Sequence, residues 1–197
     1  MAKGPRYRRS FRRREEGRTN YHRRLKLLKS KKLRVTIRSS NNHINIQIIQ
    51  SNIGGDKILV SAHSKELITK YRWNASTGNI PAAYLTGYLA GLRAKNKKIE
   101  EAIFDLGIFY HRNRVLAACK GAIDAGMEIP YREEFFPESL NLRIKGSHIE
   151  EFAKRLKTED PEKYEQIFSK YLKKNKINPL KISQIFSDTI KTIENKA

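Results

Sequence analysis

The spacing of hydrophobic positions changes several times along the 197 residues, and each change marks an element. Residues 1–18 carry no apolar period. Alone they bury too little surface to offset the entropy of ordering, so we expect an extended arm that orders against a partner. From Thr19 to Lys32, Tyr21, Leu25 and Leu28 recur at i, i+4 and i+7, which predicts a short helix with one apolar stripe, capped by Thr19 or Asn20. The period then falls to two. Leu33, Val35 and Ile37, then Ile44, Ile46 and Ile48, then Ile58, Val60 and Ala62 alternate with their neighbours. With turns at residues 39–42 and 51–56 they predict a three-stranded antiparallel meander. Residues 66–71 read as a short helical turn and 73–79 as a loop. A longer helix opens with Pro81 at its first position and runs to the lysines at 95, 97 and 98. Its Ala82, Ala83, Gly87, Ala90 and Gly91 allow very close packing, which we read as helix-on-sheet contact. Ala102-Ile103-Phe104 is a buried strand, and Val115, Leu116, Cys119, Ala122 and Ile123 form a helical stripe stopped by Gly126. Residues 127–131 supply a last strand. Such crossovers require parallel pairing, so the fold class is α/β, a mixed β-sheet with packed helices.

Beyond Arg132 acids accumulate at Glu133, Glu134 and Glu138, followed by a polar connector. Ser147 and Glu150 have the spacing of a capping box ahead of Ile149, Phe152, Ala153 and Leu156. Asp160-Pro161 starts a second helix carrying Tyr164, Ile167, Phe168, Tyr171 and Leu172. Asn178-Pro179 starts a third carrying Ile182, Ile185, Phe186, Thr189, Ile190 and Ile193. These stripes need cover from the main domain, from one another or from a partner. The expected organisation is an arm with its short helix over 1–32, a mixed α/β domain over 33–146 and a helical C-terminal extension over 147–197.

Charge gives this architecture a direction. Forty-one Lys and Arg against twenty acids leave a formal charge of +21 and an isoelectric point near 10.2. Sixteen of the first 38 residues are basic, opposed only by Glu15 and Glu16. Such a balance points to nucleic acid or an anionic membrane surface. No apolar run reaches the roughly 18–20 residues that span a bilayer. The charged N-terminus has no apolar stretch behind it, unlike a secretory signal, and it leads straight into a strand, unlike a cleavable presequence. A solvated tail or an import address needs neither this density of arginine nor the aromatics among it. Guanidinium forks suit phosphate, and aromatic rings stack on unpaired bases.

The RNA-binding candidates in the arm are therefore Lys3, Arg6, Tyr7, Arg8, Arg9, Phe11, Arg12, Arg13, Arg14 and Arg18. In and after the first helix they are Tyr21, His22, Arg23, Arg24, Lys26, Lys29, Lys31 and Lys32, continuing to Arg34 and Arg38 on the first strand. Asn41 and Asn42 in the turn are further candidates, and Asn45 and Gln47 with His43 beside them offer a polar face on the second strand, for which ordinary solvation is the competing reading. Arg112 and Arg114, next to His111, form a further basic cluster.

Catalytic groupings are missing. No GxxxxGK[ST] phosphate loop occurs, and the five histidines stand singly without metal-ligand spacing. One cysteine, Cys119, makes neither a disulfide nor a zinc cluster, reads as core filler and suits a reducing compartment. Asp105 ends a buried strand, where a two-metal nuclease would place a carboxylate. Such a site needs several converging acids, and the first three strands offer none in their interiors. We read Asp105 as a capping or turn aspartate. The expectation is a chain with no catalytic site, metal, cofactor or small-molecule substrate, and no membrane partner. The alternative binding reading is a free-standing RNA chaperone or processing factor.

Several separate motifs then converge. GPRYRRSFRRREEGRTNYHRRLKLLKS, SNNHINIQII, LVSAHSKEL, TGNIPAAYLTGYLAG, EAIFDLG and KGAIDAGMEIPYREEFFP occur in this order. Over about residues 3–150 the chain resembles the archaeal form of the universal 5S rRNA-binding protein family of the large ribosomal subunit. The resemblance implies a sheet domain of ribonuclease H-like shape without its chemistry. It implies partners too: 5S rRNA, large-subunit rRNA and neighbouring ribosomal proteins of the central protuberance. It carries over Arg6 through Arg24, with Tyr7 and Tyr21, as RNA contacts. It also adds the region of His63 and the loop holding Trp73 and Asn79, in roles that include support of the fold. Residues from about 151 match less clearly.

Overall fold

The computed structural model describes residues 4–108 and 112–196. A single helical turn, α1 (Arg12–Glu15), interrupts the arm and precedes α2 (Tyr21–Lys29). The meander follows as β1 (Arg34–Ser39), β2 (Ile44–Asn52) and β3 (Gly55–His63), then α3 (Ser64–Tyr71) and α4 (Ile80–Asn96). Next come β4 (Ile103–Asp105), α5 (Asn113–Asp124), α6 (Ser139–Lys145), α7 (Ser147–Glu159), α8 (Pro161–Ile167) and α9 (Ile182–Lys196).

The sheet order is β3-β2-β1-β4, with β1 antiparallel to β2 and parallel to β4. Alternation divides its faces. Val35, Ile37, Ile44, Ile46, Ile48, Val60 and Ala62 are buried in the core, while Thr36, Arg38, Asn45, Gln47 and Ser61 lie on the opposite, polar face. Arg93 of α4 and Lys97, which caps it, cover carbonyls of the edge strand β3: Arg93 Nη1 donates to Ser61 O and Lys97 Nζ to Leu59 O, each at 2.6 Å. These contacts occupy acceptors that another strand would otherwise use.

Helix α4 packs on β2 and β3 as expected, and its glycines Gly87 and Gly91 serve a further, helix–helix contact with α5. A Cβ on Gly87 would overlap the Ala118 carbonyl, and one on Gly121 would overlap the Tyr84 carbonyl. Helices α4 and α5 therefore touch backbone to backbone. Cys119 of α5 is buried in the main core, and burial pushes its thiol well up from the ordinary value.

The last expected strand is reduced to a single parallel bridge between Glu101 and Glu128. Met127 and Ile129 are buried as a strand's inward residues would be. Pro130, however, lacks the amide hydrogen that would continue the ladder. The polar connector at 137–146 contains α6. It ends at Gly146 (φ 83°), which turns the chain directly into α7. The expected capping box there does not form. Ser147 Oγ donates to Leu142 O instead, and the Glu150 carboxylate accepts from the Ser183 amide at 2.7 Å, serving the start of α9.

Cover for the C-terminal stripes comes from two of the expected sources. Ile182, Phe186 and Ile193 of α9 join the main core, while Ala153 and Leu156 of α7, Tyr164 of α8 and Phe168 just after it form a second cluster. Two tyrosines of α4 tie the layers at the surface. Tyr84 donates to Asp124 at 2.9 Å, and Tyr88 donates to Glu194 at 2.8 Å. Burial and the Glu194 hydrogen bond push the Tyr88 hydroxyl up to about 12.

Glu66 is the polar link between α3, β3 and α4. It accepts from Arg93 at 2.6 Å and from the His63 amide at 3.1 Å. The Arg93 hydrogen bond holds the Glu66 carboxyl down at about 2, against an ordinary value of 4.5.

Two outcomes follow from this packing. Gly121→Val forces backbone apart at the α4–α5 contact and lowers stability by about 3 kcal/mol in a denaturant melt. Glu66→Gln removes a depressed carboxylate whose stabilisation is complete above its unfolded value and fades as pH falls from about 4.5 to about 2. The native protein exceeds that variant by about 1.5 kcal/mol at neutral pH, and the difference disappears near pH 2 in an acid-unfolding series.

Candidate nucleic-acid interface

A buried arginine sets the position of the basic surface. Arg34 lies in β1 with its side chain 1% exposed. Its Nη1 donates to Asp105 Oδ2 and its Nη2 to Asp56 Oδ2, both at 2.7 Å, and its Nε to Ser51 Oγ at 3.0 Å. The register makes this possible. Arg34 and Asp105 are two positions apart on the paired strands β1 and β4, so both face the polar side. Asp56 opens β3, beyond the end of the meander's hydrophobic alternation.

Each acid holds a second arginine. Asp56 Oδ2 also accepts from Arg24 of α2 at 2.9 Å. Burial pushes the Asp56 carboxyl up, but the bonds from Arg24 and Arg34 outweigh it and hold it below the ordinary range. Asp105 Oδ1 accepts from Arg38 at 3.3 Å and from the Gly107 amide at 3.1 Å, while Arg38 Nη1 donates to the Asp105 carbonyl at 2.8 Å. Arg23 reaches over to donate to the Gly107 carbonyl at 3.0 Å. The turn role read for Asp105 is present, and the ion pairs are additional. Its two carboxylate oxygens and the Asp56 Oδ2 are taken by guanidinium. Among the described residues no group of three His, Cys, Asp or Glu side chains is placed to hold a metal ion.

The docked face of α2 differs from the stripe expected. Tyr21, Arg24, Leu27 and Leu28 are its half-buried residues, and Leu25 is 54% exposed. The inward face contains the ion-paired Arg24, which an apolar period does not register.

Between arm, α2 and sheet lies a cleft of about 620 Å³ lined by Arg13, Arg18, Thr19, Asn20, Tyr21, Arg23, Arg24, Arg38, Asp105, Gly107 and Ile108. Five arginines thus face one carboxylate that is already paired. The arm is folded back over it. Phe11 packs on Tyr21 with ring centroids 5.3 Å apart, Arg14 lies over the Tyr21 ring at 6.0 Å, and Arg13 Nε donates to Thr19 Oγ1 at 2.9 Å. Glu15 pairs with Arg9, and Glu16 with Arg12 and Arg18, around the α1 turn. Asn20 caps α2 by accepting from the Arg23 amide.

The remaining candidates divide by environment. Arg6, Tyr7, Arg8, His22, Lys26, Lys29 and Lys31 are exposed, as is Lys32, which pairs with Glu101 at 2.8 Å. Asn41 and Asn42 are exposed in the β1–β2 turn, and His43, Asn45 and Gln47 are half-buried on the polar face. His63 caps α3, its Nδ1 accepting from the Lys65 amide. Burial and the neighbouring His43, with rings 5.0 Å apart, hold His63 below the ordinary imidazole range and favour that acceptor role. Asn79 caps α4.

Several candidates belong to the framework. Arg34 is an internal strut, and Trp73 is fully buried with its Nε1 donating to Ser76 O. Arg114 Nη1 is shared by the carbonyls of Ser40, Asn41 and Gly78, stitching the β1–β2 turn to the loop before α4. Arg112 is exposed. Lys3 and His111 lie outside the described residues. Sequence reasoning missed Asp56 as an anchor. Its signal was being the sole acid between Glu16 and Glu66.

The model of the family described as "Ribosomal large subunit proteins 60S L5, and 50S L18" matches residues 5–106. The chain is 46% identical to the "Large ribosomal subunit protein uL18" of Aeropyrum pernix, over 98% of this chain and 90% of that one. It is 42% identical to the protein of the same name from Sulfurisphaera tokodaii, over 99% and 98%.

The ion network makes a quantitative demand. Arg34→Ala leaves Asp105 buried and short of its main partner, and we expect a loss of about 3–5 kcal/mol in urea unfolding. Arg24→Ala removes a half-exposed ion pair with Asp56, which keeps its bond from Arg34, and costs about 1 kcal/mol.

Proposed function

The chain belongs to the family of ribosomal large subunit proteins 60S L5 and 50S L18, and we propose that in the large subunit it binds 5S rRNA and attaches it to the large-subunit rRNA in the central protuberance. Its standing as a large-subunit ribosomal protein follows from the family. The finer reading rests on one observation above all: five arginines line a cleft whose position on the sheet is fixed by buried ion pairs. Donors held in place lose little freedom when they meet phosphate. Guanidinium forks then fit the non-bridging oxygens of the backbone.

The arm adds reach. Exposed Arg6, Arg8, Arg9 and Arg12 lie beyond the cleft, with Tyr7 and Phe11 among them as stacking surfaces. In this reading the role is structural, and the chain performs no reaction. Neighbouring ribosomal proteins of the same protuberance are its protein partners, and the ribosome places it in the cytoplasm. No helix among the described residues is long and apolar enough to cross a membrane.

A competition gel shift over a salt series tests the proposal. Full chain and a version lacking residues 2–24 are titrated with 5S rRNA against excess tRNA. The full chain is expected to keep 5S rRNA, and truncation to weaken binding and flatten the dependence on salt. Equal competition by tRNA would remove the specificity claimed and favour a general RNA chaperone.

A further inference from the structure

All twenty carboxylates of the chain lie outside three long stretches, residues 17–55, 67–99 and 166–187. The first carries α2 and the first strands, the second carries the loop before α4, and the third lies in the C-terminal extension. Together they hold twenty Lys and Arg and no acid. The fold joins them. The β1–β2 turn of the first stretch is bound to the loop of the second, where Thr77 Oγ1 donates to Asn42 O at 2.7 Å and Arg114 bridges both. Gly78 sits so close to the turn that a Cβ there would lie 2.6 Å from Asn41 O. The third stretch packs on the same core as that loop, because Tyr171 is half-buried against the cluster that includes Trp73, Ala75 and Ile177.

Tyr171 is held by an unusual turn. Residues Lys170–Lys174 form a π-helical turn between α8 and α9, closed by the Asn175 amide on Lys170 O, and Lys176 follows at φ 51°. Such turns are rare and recur where function constrains a chain. This one seats Tyr171 inward and leaves Lys170, Lys173 and Lys176 exposed, without a carboxylate partner among the described residues. Elsewhere the extension is balanced. On α7 and α8 acids and bases are mixed, and Arg155 pairs with Glu159 at 2.9 Å.

We propose that the RNA-binding surface runs beyond the arm and cleft, across the β1–β2 turn and the loop before α4, and ends on Lys170, Lys173 and Lys176, so that the C-terminal extension contacts an RNA phosphate backbone. The inference rests on the rRNA-binding reading above for its ligand class. Lysine ammonium groups are compact charges that meet phosphate without selecting a base, so this end adds affinity and orientation while the arginine cleft fixes the register. The extension then has two duties, covering α4 with α9 and extending the phosphate track.

The test uses the full chain with 5S rRNA and, separately, a large-subunit rRNA transcript. A variant carrying Lys170→Ala, Lys173→Ala and Lys176→Ala is compared with one carrying Lys154→Ala, Lys163→Ala and Lys191→Ala, which removes the same charge from α7, α8 and α9. Both should keep the native melting temperature, since all six side chains are exposed. With about 0.7–0.9 of slope per phosphate contact, the first variant is expected to lower the slope of log affinity against log salt by roughly 2 on at least one RNA. The second should leave it unchanged, and arginine at 170, 173 and 176 should restore it. Equal slopes for the first variant and the native chain on both RNAs, or equal losses in the two variants, overturn the inference. Failure of the native chain to prefer 5S rRNA over tRNA would instead count against the function proposed above.

Discussion

Arg34 is the side chain on which the basic surface depends. A guanidinium buried in a sheet must be paired, because its desolvation is far too large to leave uncompensated. Two carboxylates answer it, and neither is local in sequence. Meeting that demand brings the start of β3 and the end of β4 to β1. Asp56 shares one oxygen between Arg34 and Arg24, and Asp105 gives its second oxygen to Arg38. The internal requirement of one arginine thereby fixes two arginines at the surface. A cleft built this way keeps its geometry while carrying a strong positive field.

The hydrophobic alternation was legible because it reports one variable, burial, at a period of two. Val35, Ile37, Ile44, Ile46 and Ile48 are all fully buried, and the meander follows from them directly. The same logic misled where a buried position is polar. Arg34 breaks no visible pattern, since a strand's other face is expected to carry charge. Arg24 replaced Leu25 on the docked face of α2 because its ion pair with Asp56 made an inward arginine favourable. The glycines of α4 announced a close contact but not its helical partner, for glycine permits approach from sheet or helix alike. The Ser147–Glu150 spacing matched a cap, yet Gly146 already turned the chain there and Glu150 was needed at α9.

The candidate site divides along the same line. Exposed arginines of the arm were readable from charge density, which is a property of composition. The loop before α4 was harder. Trp73 and Arg114 carry the residue types of RNA contacts but serve as packing and stitching. Their work holds Asn41, Asn42 and the Gly78 segment in fixed relation, so they shape the surface without forming its outer layer.

Folding of the arm against α2 alters the energetic account of RNA binding. A fully disordered arm would lose about 1–2 kcal/mol of backbone entropy per residue ordered. Here the Phe11–Tyr21 contact, the Arg14–Tyr21 stack and the Arg13–Thr19 bond already restrict residues 11–21. Glu15 and Glu16 add to this by drawing three arginines toward one turn, at the expense of part of the positive charge offered outward. The two acids of the arm therefore hold Arg9, Arg12 and Arg18 together around the α1 turn.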